Sequence, residues 1–269
     1  MSSAYKRRRE DDEDVPEPSM RVNSSSSNPR KLPGGLVATP VECGEAKGTV
    51  MLVQDPYNDH FTYNIGNSLW SASLEVIQYW KDVPPLENRK KSDRFAALEV
   101  GAGCGLLGLA MWRHGYDTVT LTDLDEMLPI MNYNIEWNDA GDCVQAMALD
   151  WSDGGLSARS VYEARGPFDL IVGAEVSYDE SLHEGLLDSI VILCGGGCTA
   201  KPSKSLKTPA RVLLAIPLRD SDPQIIAIAE VRGFVVIELK SCPACPNHDS
   251  EQIIYELRAP ARWPEVGPV

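Results

Sequence analysis

The sequence predicts an α/β domain with a mostly parallel sheet, helices on both faces and an antiparallel hairpin at its C-terminal end. Apolar segments such as FAALEV, FDLIVGA and RVLLAIP alternate with helix-period stretches, the pattern of strands joined by crossover helices. These strands read as near-continuous apolar runs, as required of a sheet covered on both sides. FVVIEL and EQIIYEL follow one another with no helical stretch between, which fits a closing hairpin. With 269 residues, 43% of them hydrophobic, the chain suits one large domain with a sizeable core.

Residues 1–44 hold KRRR, an acidic stretch and SSSSNP with few apolar residues, so a disordered tail is expected there, followed by the domain at 45–262. TVMLVQ alternates as a strand, and NSLWSASLEVIQYWKD sets Leu69, Trp70, Leu74, Ile77 and Trp80 on one helical face. Pro84 and Pro85 end that helix. FAALEV, the turn GAGCG, the helix LLGLAMWRHG and the strand DTVTLT make a βαβ unit. EMLPIMNYNIEWN continues as helix, VQAMAL and FDLIVGA as strands, and SLHEGLLDSIVIL as helix. RVLLAIP is a strand, DPQIIAIAEVRG a helix, and residues 195–210 between Ile192 and Arg211 a flexible loop.

The formal net charge of −14 opposes nucleic acid or anionic membrane as the main partner and favours a basic partner surface. The first residues lack the apolar core of a signal peptide, and no run of about 18 apolar residues occurs, so a soluble intracellular protein is expected. Lys6 to Arg9 read either as a solvated basic run or as a nuclear import signal. The expected location is therefore cytoplasmic, with the nucleus second. Seven scattered cysteines indicate a reducing compartment without disulfides.

A strand that ends in Glu99 and turns through Gly101, Ala102, Gly103 and Gly105 brings backbone amides and a helix N-terminus up to any ligand above the sheet edge. Gly103, Gly105 and Gly108 satisfy GxGxxG, and Asp123 follows roughly 20 residues on, where a carboxylate accepts ribose hydroxyls. These features predict a nucleotide site but fit a dinucleotide and S-adenosylmethionine alike.

The ordered set KGTVMLVQ, SLWSASLEVIQYW, LEVGAGCGLLGL, LTDLDEMLPIMNYNIEWN, QAMALDW, FDLIVGAEVSYDESL and EQIIYEL resembles the seven-β-strand methyltransferases from Lys47 to Leu257. Within them it resembles the lysine methyltransferase branch that includes the valosin-containing-protein lysine methyltransferase. The resemblance implies a Rossmann-like seven-stranded sheet, S-adenosyl-L-methionine as cofactor and protein-lysine methylation. It implies cofactor contacts at Trp70, the Gly101 to Gly105 turn with Glu99 before it, Asp123, Trp151 and Ala174. Trp151 offers an apolar face to adenine, and Asp123 would hold the ribose.

After FDLIVGA, the fourth strand counted from FAALEV, Glu175 falls at the carboxyl edge of the sheet and Tyr178 just beyond. They are the candidate catalytic residues. The family usually has Asp where this chain has Glu175, and the longer side chain extends the reach by one methylene. Glu175 would accept hydrogen bonds from a lysine amine and Tyr178 would wall and orient it. Glu175 opposes proton loss from that amine, so positioning comes before general-base work.

CGGGC at Cys194 and Cys198 and CPAC at Cys242 and Cys245 suggest a four-cysteine zinc site, but the two pairs should lie at opposite edges of the sheet. No metal is expected. No histidine pair has ligand spacing, and GxSxG, GxxxxGK and HExxH are absent. The reading is a monomeric methyltransferase acting on a protein lysine. Histidine, arginine or small-molecule methylation, an NAD-dependent oxidoreductase and a non-catalytic binding module stay open beside it.

Overall fold

In the computed structural model, β3 (Ala96–Val100), β4 (Thr118–Asp123), β5 (Val144–Ala148), β6 (Leu170–Ala174) and β7 (Arg211–Pro217) pair in parallel. The structure describes residues 32–44, 47–62, 64–83, 86, 94–196, 210–218, 223–242, 251–260 and 263. The predicted hairpin completes the sheet as β8 (Val235–Cys242) and β9 (Gln252–Arg258), giving the order β5-β4-β3-β6-β7-β9-β8 with β9 antiparallel to both neighbours. From β3 the chain first builds outward through β4 and β5, then returns and builds the other way through β6. The order therefore reverses between β3 and β6, the switch point where open α/β sheets leave a crevice above their carboxyl ends.

Six helices cover the faces among the described residues: α1 (Ser71–Asp82), α2 (Leu106–Arg113), α3 (Leu128–Trp137), α4 (Leu156–Arg165), α5 (His183–Leu193) and α6 (Pro223–Val231). Alternate strand residues sort into two cores, which is why the strands read as continuous apolar runs. Ala97, Val119, Leu121, Val172, Leu213 and Ala215 face α1, α2 and α3. Leu98, Val100, Ile171, Val212, Leu214 and Ile216 face α4, α5 and α6.

Four expectations need correction. Residues taken with the tail form β1 (Val37–Glu42), which pairs antiparallel with β2 (Thr49–Gln54) in a separate two-stranded sheet. The N-terminal part of that tail, 1–31, lies outside the described residues. In α1 the buried side chains are Ala72, Val76, Ile77 and Trp80, whereas Leu74 is exposed and Trp70 is the residue before the first turn. Helix α4 was not anticipated. It buries Ala158, Val161 and Tyr162, and Asp153 starts it by accepting from the amides of Gly155, Leu156 and Ser157 at 2.9, 2.9 and 2.8 Å. Of the loop expected at 195–210, Gly195 and Gly196 close α5 and Ala210 is buried, while 197–209 lie outside the described residues.

The small sheet is stapled to the main body by α3. Asn138 exchanges two hydrogen bonds with the backbone of Met51, both 2.9 Å, and Asn134 exchanges two with Val53, at 2.7 and 2.8 Å. Two side-chain amides one helical turn apart thus present donor and acceptor at the spacing of alternate strand residues, and satisfy the edge of β2 as a third strand would.

Candidate active site

Above the switch point lies a cleft with an empty volume, open mouth included, of about 780 Å³. Its floor is the glycine turn. Gly101, Gly103 and Gly105 have φ of 59, 53 and 88°, the left-handed region that glycine enters without penalty. Space demands glycine as well. A Cβ on Gly103 would stand 2.8 Å from the Gly66 carbonyl oxygen, and one on Gly101 would stand 2.8 Å from Val176 Cγ1. The amide of Ala102 bonds the Thr122 carbonyl at 2.9 Å, which ties the turn to β4.

Asp123 ends β4 beside this turn. Its Oδ2 accepts from the Gly103 amide and its Oδ1 from the Leu124 amide, each at 2.8 Å. Burial pushes its carboxyl above the usual range, against the pull of those two donors. A carboxylate offers about four acceptor positions, so two remain for a ligand. Trp151 stands against the turn, its ring edge 3.2 Å from where a Gly101 Cβ would be, and its Nε1 is buried with no partner among the described residues.

The second wall belongs to the segment that runs from Asp55 to Trp70, of which sequence reasoning placed only Trp70 in the site. Asp55 accepts from the amides of Asp59, His60 and Phe61 at 3.0, 2.8 and 2.8 Å. Burial raises its carboxyl, but those donors outweigh it and hold Asp55 below the ordinary carboxylate range. Asn64 caps the turn that follows by accepting from Gly66 at 2.8 Å, and the Trp70 indole donates to the Ile65 carbonyl at 3.1 Å. Leu52, Asn64, Ile65, Gly66 and Ser73 line the cleft with Trp70. The signal in the sequence is the density of Asp, Asn and Gly in DPYNDHFTYNIGN, each able to turn the chain on its own hydrogen bonds.

The third wall follows β6. Ala174, Glu175, Val176 and Tyr178 line the cleft. Glu175 has φ 58° and its amide bonds the Ala215 carbonyl at 3.1 Å. His183, 1% exposed, donates through Nε2 to the Ser177 carbonyl at 2.9 Å and fixes the short segment that carries Tyr178. Tyr178 is 52% exposed at the mouth, and partial burial, with Asp123 and Asp179 adding to it, raises its phenol above the usual range.

Of the predicted site residues, Trp70, Gly101, Ala102, Gly103, Asp123, Trp151, Ala174, Glu175 and Tyr178 come together around this cleft. Glu99 and Gly105 do not line it. Glu99 is 3% exposed beneath α2, and its Oε2 accepts from the Gly108 amide at 2.7 Å. Burial pushes its carboxyl up to about 8, against the Gly108 and Leu107 amides and with Asp123 adding to the rise. Gly105 is pressed against Leu121, and a Cβ there would stand 2.6 Å from Leu121 Cδ1. Among the described residues no group of three metal-ligating side chains occurs, and no helix is long and apolar enough to cross a membrane. Cys198 and Cys245 of the set-aside zinc motif lie outside the described residues.

Comparison with known proteins adds the following. A family model described as lysine methyltransferase matches residues 56–200. The chain is 28% identical to the Saccharomyces cerevisiae protein-lysine N-methyltransferase EFM2 over 61% of its own length and 43% of that protein. It is 31% identical to the Mus musculus EEF1A lysine methyltransferase 3 over 50% of this chain and 56% of that one. It is also 31% identical to the Mus musculus protein N-lysine methyltransferase METTL21A over 72% of this chain and 77% of that one. The match thus spans about half the length of the first two relatives and three quarters of the third.

Proposed function

The chain belongs to the lysine methyltransferase family, and from that premise we propose that it binds S-adenosylmethionine in the switch-point cleft and methylates the side-chain amine of a lysine in a protein. The observation that carries this reading is the union of two halves in one cleft. The glycine turn, Trp70, Asp123 and Trp151 form one half, and Glu175 and Tyr178 the other.

The first half fits the donor. Bare backbone approaches the cleft where a Cβ would collide, Asp123 keeps acceptor positions for a ribose diol, and Trp151 presents an aromatic face for adenine. When bound, S-adenosylmethionine supplies a methyl group on a positively charged sulfur, activated for in-line displacement.

The second half fits the acceptor. A free lysine has a pKa near 10.4, and its amine must shed a proton before its lone pair can attack. Transfer from water into the cleft favours the neutral amine. Glu175 favours the charged form, so its work is to hold and aim the nitrogen, while the Tyr178 ring walls the approach and excludes water and its hydroxyl orients the amine. A monomeric, cytoplasmic enzyme without nucleic-acid or membrane partners belongs to the same proposal. The net charge of −14 supports a basic surface on the substrate protein.

Thermal melts with each cofactor test the reading. S-adenosylmethionine is expected to raise the melting temperature and NAD to leave it unchanged; the reverse result overturns the proposal. Glu175→Ala and Tyr178→Phe are expected to keep cofactor binding and lose methyl transfer. Undiminished transfer in both removes the assigned acceptor site.

A further inference from the structure

Gln252 is a buried polar residue for which the sheet itself gives no reason. It opens β9, pairs with Pro217 of β7 and Cys242 of β8, and is 1% exposed. The next two residues of the strand, Ile253 and Ile254, are buried and apolar. The Gln252 Oε1 has no hydrogen-bond partner among the described residues. A buried carbonyl left unsatisfied is a cost that a leucine of similar size in this slot would not carry.

The other end of the same amide shows what offsets that cost. Gln252 Nε2 lies 3.4 Å from Oε1 of Glu175, across β7. The orientation of the amide is fixed by chemistry, because turning it over would set its carbonyl against the carboxylate. Glu175 is anchored at its backbone by the Ala215 carbonyl and leaves β6 with φ 58°. Its side chain can thus span from the cleft it lines to the start of β9. An aspartate on the same backbone would be one methylene short of that contact.

We propose that Gln252 is a positioning residue that holds the Glu175 carboxylate at the acceptor end of the cleft by a hydrogen bond across β7. The proposal rests on the methyltransferase reading above. Glu175 touches the acceptor amine; Gln252 acts only through Glu175. Removing the donor takes away one of the contacts that fix the carboxylate, so fewer encounters present a correctly aimed nitrogen. Placing a second carboxylate at 252 repels the first and displaces it further.

The test uses the full chain, S-adenosylmethionine with a labelled methyl group, and protein from a matched cell extract as acceptor. It reads the maximal rate and the extract concentration that gives half of it. Gln252→Leu is expected to lower the maximal rate about tenfold, the order of a lost bond to a charged group. The dissociation constant for S-adenosylmethionine stays within twofold. Gln252→Glu, of the same shape, is expected to lose more than Gln252→Leu. In a Glu175→Gln background both changes should cost less than threefold, a coupling that a purely structural role does not produce. The exchanged pair Glu175→Gln with Gln252→Glu should keep the wild-type melting temperature without restoring the rate. A Gln252→Leu rate within twofold of wild type, or effects that simply multiply with those at Glu175, overturns the role of Gln252 alone. A wild-type chain that neither binds S-adenosylmethionine nor transfers methyl overturns the parent reading and this proposal with it.

Discussion

Replacing Asp123 by Asn keeps the shape of the side chain and removes its charge, which makes it the sharpest probe of the donor half of the cleft. Both carboxylate oxygens already accept a backbone amide at 2.8 Å, from Gly103 and Leu124. An asparagine has one oxygen, so one of those amides would face an NH2 group and the turn would lose a contact. The two acceptor positions left for a ribose diol would fall to one, no longer charged. Hydrogen bonds to charged groups contribute about 1.5–3 kcal/mol each. Loss of one, with weakening of the other, predicts S-adenosylmethionine binding reduced by roughly 10- to 300-fold. Titration calorimetry measures it directly, and a melt without ligand separates binding from damage to the fold. A dissociation constant within twofold of wild type, with the variant fully folded, would refute the assignment of Asp123 to the ribose.

Other consequences follow from buried contacts away from the ligand. Glu99 is neutral in the fold up to about pH 8, whereas an unfolded glutamate ionises near 4.3. The folded form therefore holds a proton that the unfolded form has released, so stability from this group is complete below the unfolded value and is lost as pH rises towards 8. The Glu99→Gln variant should melt with a flatter pH dependence than wild type between about pH 5 and 8.5, the gap reaching ~5 kcal/mol at most; parallel pH profiles would contradict this. Gly108→Ala would set a Cβ 1.8 Å from Leu121 Cδ2 in a fully buried contact between α2 and β4. Overpacking of about 1–3 kcal/mol should lower the melting temperature by several degrees in a calorimetric scan, and an unchanged transition would show that Leu121 moves freely. Asn134→Leu strips both backbone groups of Val53 and the Cys104 carbonyl of a partner. Hydrogen exchange of the β2 amides should then speed up at least tenfold relative to β3 and β6, and equal protection would refute the stapling role.

Most of the sheet was legible because β3, β6 and β7 are buried on both faces and so carry long apolar runs. The elements that escaped are those whose reason for folding lies elsewhere in the chain. VATPVE of β1 has Pro40 and no apolar alternation of its own; its partner β2 and the amides of α3 give it a place. Helix α4 follows two glycines and carries two arginines and two serines, so its stripe of Ala158, Val161 and Tyr162 was too narrow to stand out. In the site, Gly101, Gly103 and Glu175 line the cleft from the ends of their strands. Gly105 and Glu99 do not, and for Glu99 the alternation that turns Ala97 toward α2 turns it the same way, beneath the helix and out of the cleft. Gln252 was invisible, since it meets Glu175 only through the pairing of β9 with β7.

Peptide mapping by mass spectrometry, after the purified chain has acted on a matched cell extract with methyl-labelled S-adenosylmethionine, tests the central claim most directly. The account predicts label on the side-chain nitrogen of a lysine within a protein, dependent on Glu175 and Tyr178. Label on a histidine, an arginine or a small molecule, or none at a cofactor concentration that saturates binding, would contradict it.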